Sequence, residues 1–136
     1  MHLSEMNALD RDPARRAKEI QRMREKTRAK LARFPSGDYA WCERVLSISG
    51  RPYDLVVSYP ERFPFECPKA FIATPDITGA PHRLPDGSLC MFDDHVRGIG
   101  PKTSALLVRT RAIAWIAMYE KWLVTGTWKQ PLEDAG

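Results

Sequence analysis

The chain has 136 residues, 43% hydrophobic and 28% charged, which leaves room for one ordinary globular domain but not for two independent cores. No run approaches the roughly 20 apolar residues that span a bilayer, and Met1-His2-Leu3-Ser4-Glu5 lacks the basic-then-apolar order of a secretory signal, so a cytoplasmic protein without a membrane segment is expected. The net charge of +4 is unevenly placed: residues 1–34 carry ten Lys/Arg against five Asp/Glu, the remainder eleven against twelve.

The first predicted element is a helix over residues 13–33. Pro13 suits a first helical position and Asp12 a cap before it. Ile20, Met23, Thr27, Leu31 and Phe34 recur at spacings of three or four and form a narrow apolar stripe. The other faces hold nine cations, among them Arg15, Arg16 and Arg22. Such a run is either a solvated face or a docking surface for an acidic partner. Nucleic acid is set aside, because no interleaved aromatics or recognisable nucleic-acid motif accompany the charges.

Pro35-Ser36-Gly37-Asp38 reads as a turn, followed by strand-like runs at 41–48 and 53–59 around a second turn, Ser49-Gly50-Arg51-Pro52. In the second run Tyr53, Leu55, Val57 and Tyr59 alternate with Asp54, Val56 and Ser58, the period of a half-buried strand. Lys69 to Thr74 is a third strand, and links this short demand antiparallel pairing. From Pro75 to Pro101 periodicity disappears, and a segment that long favours a functional loop. Residues 103–125 form a second helix closed by Gly126. Helix, meander, loop and helix make an α+β domain, in which Tyr53, Leu55, Val57, Phe71, Ile113 and Ile116 are expected to be buried.

Three cysteines, Cys42, Cys67 and Cys90, cannot all pair, and none forms a C-x-x-C, so neither a disulfide framework nor a structural zinc site is expected. Cys42 lies within a strand run and Cys67 between Glu66 and Pro68; both read as packing residues. Cys90 follows the turn signal Asp86-Gly87 inside the irregular loop, which makes it the candidate nucleophile.

The run Tyr59-Pro60-Glu61-Arg62-Phe63-Pro64-Phe65-Glu66-Cys67-Pro68-Lys69 resembles the proline-rich signature of ubiquitin-conjugating enzymes. His82 followed by Asp86-Gly87-Ser88-Leu89-Cys90 is similar to that family's next landmark, a histidine and then Gly-x-Ile/Leu-Cys. Gly100-Pro101-Lys102-Thr103-Ser104 before a long helix, and Trp122 to Trp128 at its end, resemble the later segments of divergent short bacterial members. Such members occur in CBASS antiphage systems and in bacterial ubiquitin-like operons.

The resemblance implies a UBC-like fold with an N-terminal helix, a four-stranded antiparallel meander, an active-site loop and a C-terminal helix. It implies that Cys90 carries a C-terminal glycine as a thioester and passes it to an amine. The glycine belongs to a ubiquitin-like modifier or to a cyclic-nucleotide synthase (CD-NTase). An activating enzyme would load Cys90 and dock on the first helix through Arg15, Arg16 and Arg22, and no cofactor is implied.

The chain departs from the family around the histidine: where the conjugating enzymes have His-Pro-Asn about ten residues before the cysteine, His82 stands eight residues before Cys90 and is followed by Arg83-Leu84-Pro85, without the asparagine that supports the oxyanion. His82 then shapes the loop through a backbone hydrogen bond in preference to acting as a base. Asp93 and Asp94 either accept a proton from an attacking lysine or form a solvated acidic turn. His82, Cys90 and His95 lack zinc-type spacing. Two other readings are a catalytically silent binding module of the same fold, against which the retained Cys90 speaks, and a cysteine hydrolase, for which nothing places a histidine beside the sulfur.

Overall fold

Asp12 caps the first helix, its carboxylate accepting the Arg15 N–H at 3.0 Å, and Pro13 takes the first helical position. In the computed structural model, which describes residues 9–90 and 104–128, this helix is α1, Pro13–Lys26. It ends seven residues before the expected 33. Thr27 stops it: its hydroxyl donates to the Met23 carbonyl at 2.7 Å and accepts the Ala29 N–H at 3.0 Å, so the side chain takes over bonds the next turn would have used.

Residues predicted as the helix end form strand β1, Lys30–Arg33, which pairs with β2, Tyr39–Leu46. Strands β3, Pro52–Ser58, and β4, Lys69–Thr74, complete a sheet of order β1-β2-β3-β4, antiparallel throughout. The four-stranded meander expected from the resemblance is present, and the strand without a sequence signal is β1. Only six of the nine N-terminal cations lie on α1; Arg28, Lys30 and Arg33 belong to the linker and β1.

Helix α2, Ala105–Thr125, is capped by Ser104, whose hydroxyl accepts the Leu107 N–H, and closes at Gly126 in the left-handed region at φ 73°. It packs across β3 and β4 and against α1. Its buried face is Ala105, Val108, Ala112, Trp115, Ile116 and Tyr119, set against Tyr53, Leu55 and Val57 of β3. The Glu43 carboxylate in β2 holds the Arg109 guanidinium at 2.6 and 2.7 Å, and the Tyr53 hydroxyl donates to Glu120 at 2.9 Å, so both halves of α2 are tied to the sheet. No helix among the described residues is long and apolar enough to cross a membrane.

Two residues expected in the core are not there. Phe71 is only half-buried, because Ala70 pairs with the inward-facing Val57 and Phe71 therefore pairs with Val56 on the outer side. Ile113 is 37% exposed, lying off the face that runs through Ala112 and Ile116. Tyr53, Leu55, Val57 and Ile116 are buried as expected.

One buried charge joins the layers. Glu19 of α1 is 1% exposed, and its Oε1 accepts the Tyr59 hydroxyl at 3.2 Å and the Ala105 N–H at 2.9 Å. The Trp41 indole N–H donates in turn to the Tyr59 oxygen at 2.8 Å. A carboxylate at the first N–H of α2 satisfies an orphan donor and opposes the positive end of the helix dipole.

Candidate functional site

The proline-rich run is a rigid corner between β3 and β4. Three prolines in nine residues restrict φ and remove donors, and the chain closes instead through turn bonds, Phe63 N–H to Pro60 at 3.0 Å and Phe65 N–H to Arg62 at 2.7 Å. Tyr59 and Phe63 are buried and meet edge to face with centroids 4.8 Å apart. The Arg15 guanidinium covers the Phe63 ring at 5.1 Å, so α1 leans directly on this corner, while Phe65 stands 69% exposed beside it.

The stretch before Cys90, read as irregular, contains a small hairpin. Arg83 and Leu89 form an antiparallel bridge, the Leu84 N–H donates to Ser88, and the Gly87 N–H, at φ 89°, returns to Leu84. Glycine serves here because the turn needs a positive φ. The Leu89 N–H donates to the Ala70 carbonyl at 2.9 Å, docking the hairpin on β4. Asp86 locks the turn: its Oδ1 accepts the Ser88 N–H at 2.9 Å and hydroxyl at 2.6 Å, and its Oδ2 lies 2.8 Å from the Lys69 ammonium.

The Lys69 and Ser88 donors hold the Asp86 carboxyl well below the usual carboxylate range, and the Lys69 amine is raised by the same contact. A depressed carboxyl contributes stability that is complete above its unfolded pKa, about 3.9, and is lost as pH falls through its folded value. The thermal midpoint of the wild type should therefore exceed that of Asp86→Asn by a constant margin from pH 8 to 5, a margin that shrinks below pH 4. A margin that grew on acidification would contradict this anchoring.

Cys90 ends the hairpin half-buried, its N–H donating to the His82 carbonyl at 2.8 Å. His82 has φ 58°, a left-handed conformation that a non-glycine residue adopts at a cost of about 1–2 kcal/mol. The Trp115 indole N–H donates to the same carbonyl at 3.1 Å. His82 is thus joined to Cys90 through its backbone.

Exposure does not separate the three cysteines, since all are half-buried. Placement does. Cys42 is held in β2 between Lys30 and Val56, and burial pushes its thiol pKa up. Cys67 belongs to the proline-rich corner, while Cys90 alone terminates the hairpin. Asp93, Asp94 and His95 lie outside the described residues.

On α1, Arg15 and Arg22 line one surface cavity of about 240 Å³ with Asp12, Ala14 and Lys18. Arg16 is not part of it; its guanidinium lies over the Tyr39 ring at 5.7 Å and 3.9 Å from Asp10. Lys18 was not singled out in the sequence, and the i, i+3, i+7 spacing from Arg15 was the available signal.

A protein-family model described as Type II CBASS E2 protein matches residues 19–135, which include both α2 and the Cys90 hairpin. No curated protein matches the chain.

Proposed function

The chain belongs to the Type II CBASS E2 family, whose setting is antiphage defence and E2-type conjugation, and on that premise we propose that Cys90 is the thiol that carries the conjugated group. The observation that carries this reading is the placement of Cys90 at the end of a hairpin pinned to β4 and to α2. A transferring nucleophile needs fixed position more than elaborate chemistry. Serving an antiphage defence system, the chain would act in the cytoplasm.

The transfer proceeds in two displacements. The Cys90 thiolate attacks the carbonyl carbon of a C-terminal glycine held as a thioester on an activating enzyme. The new C–S bond forms as the old one breaks, and the activating enzyme's thiolate leaves. The glycine belongs to a ubiquitin-like modifier or to the CD-NTase of the system. An amine, expected to be a lysine, then attacks the same carbon. The C–N bond forms, the Cys90 thiolate leaves, and the amine's proton passes to a base, for which Asp93 and Asp94 are the candidates. His82 serves by holding the Cys90 backbone and takes no proton.

The activating enzyme docks on α1, with Arg15, Lys18 and Arg22 facing an acidic surface and Arg16 in a lesser role. Charges of this kind raise encounter rates by about 10- to 1,000-fold at low salt. Combined Arg15→Glu, Lys18→Glu and Arg22→Glu substitution should slow loading of Cys90 by about tenfold or more at low salt and flatten its salt dependence. Arg16→Glu alone should do much less. The assay mixes the chain with the activating enzyme, ATP and the glycine donor, and follows an adduct that thiols cleave. No such adduct in the wild type would overturn the proposed function, and equal rates in the triple variant would remove the docking role.

A further inference from the structure

We propose that Trp128 is a positioning residue for Cys90, acting through His82. The functional meaning of this assignment rests on Cys90 being the acylated thiol; the contact itself does not depend on it.

Among the described residues His82 is the only one other than glycine with a positive φ. A side chain at such a position drifts back to negative φ unless its surroundings hold it. Here the Trp115 indole N–H holds the carbonyl, and an aromatic ring holds the side chain. The imidazole lies against the Trp128 ring with centroids 5.0 Å apart and planes tilted by 32°. Trp128 in turn packs on Trp115 at 5.1 Å, and Trp115 is 3% exposed in the core and stacked on Tyr119 at 5.4 Å. Trp128 therefore transmits the rigidity of α2 to the His82 ring. The carbonyl whose direction this conformation sets is the one that receives the Cys90 N–H.

The tail is built to bring Trp128 back. Gly126 reverses the chain at φ 73°, and the Thr125 hydroxyl accepts the Thr127 N–H at 3.1 Å, tightening the turn that follows α2. Hydrogen bonding does not explain where Trp128 rests, because its buried indole N–H meets no acceptor among the described residues. Ring contact with His82 and Trp115 is what the position supplies.

Amide hydrogen exchange on the full chain tests this without any partner. The Leu89 N–H, bonded to Ala70, serves as the internal reference for the Cys90 N–H, bonded to His82. Trp128→Ala should lower protection at Cys90 by about tenfold relative to Leu89, and Trp128→Phe, which keeps a ring under His82, should restore it. Should the alanine variant fail to fold, Trp128→Leu is read in the same way, since it keeps apolar cover on Trp115 but offers no ring to stack on. In the loading assay Trp128→Ala should reduce the rate at saturating activating enzyme by on the order of tenfold to a hundredfold, with the KM for that enzyme unchanged. An unchanged Cys90-to-Leu89 ratio, or equal loss at both, would overturn the proposal. A selective loss at Cys90 in a chain that never forms a thioester would uphold the clamp and refute the thioester reading.

Discussion

Cys90→Ser is expected to abolish the adduct that thiols cleave and to leave an ester that survives them. The serine hydroxyl is almost wholly protonated at neutral pH and a far weaker nucleophile than a thiolate, so this oxyester should form at least ~100-fold more slowly. Cys42→Ser and Cys67→Ser should load at close to the wild-type rate. Cys42 sits within the sheet, and replacing its half-buried sulfur with a hydroxyl should lower stability by about 1 kcal/mol without touching the hairpin. Denaturing gels with and without reductant, on all three variants, separate these outcomes. Loss of the adduct in Cys67→Ser with retention in Cys90→Ser would move the reaction to the proline-rich corner.

Glu19→Ala should be the most destabilising single substitution on α1, at about 3 kcal/mol or more. It removes the acceptor of two bonds at once, leaving the Ala105 N–H without its partner and depriving the buried Tyr59 hydroxyl of its acceptor. Each buried donor orphaned in this way costs about 1–3 kcal/mol, and the vacated volume adds to it. Against a total of about 5–15 kcal/mol for an ordinary domain, the thermal midpoint should fall by roughly 10 °C. Glu19→Gln keeps an oxygen for both donors and loses only the charge facing the α2 dipole, so it should cost about 1 kcal/mol. If alanine and glutamine were equally mild in thermal melts, the network would carry no stability.

Glu19 also shows where reading the sequence stops. In a helix dense with charge, a glutamate reads as one more solvated residue. Its burial is decided by Tyr59 and by the first N–H of α2, which lie 40 and 86 residues away. Strand β1 escaped for a related reason: Leu31 and Phe34 continue the apolar stripe of α1, and only the edge of β2, supplied later in the chain, makes an extended form preferable there. Phe71 reads as a core residue in the sequence, whereas the register with β3 gives the inward position to Ala70.

Local chemistry was legible where it is self-contained. Asp12-Pro13, Gly37, Gly50 and Gly126 all act where their types require, the last three at positive φ. The alternation in 53–59 identified β3 and its buried face, since one neighbour on each side is enough to impose that period. For the site, Asp86-Gly87 announced a turn before Cys90. The Lys69–Asp86 pair, the bridge to β4 and the Trp128 contact were not announced, because each needs a partner distant in sequence. The grouping of Arg15 with Lys18 instead of Arg16 follows from side-chain direction on the folded helix.

The most direct test of the account is the intact mass of the wild-type chain after incubation with its activating enzyme, ATP and the glycine donor, followed by peptide mapping without reductant. The expected result is a mass increase equal to the donor minus one water, reversed by thiol and mapped to the peptide containing Cys90. A thiol-resistant adduct on a lysine, a thiol-sensitive one on Cys42 or Cys67, or no adduct with competent partners would contradict it.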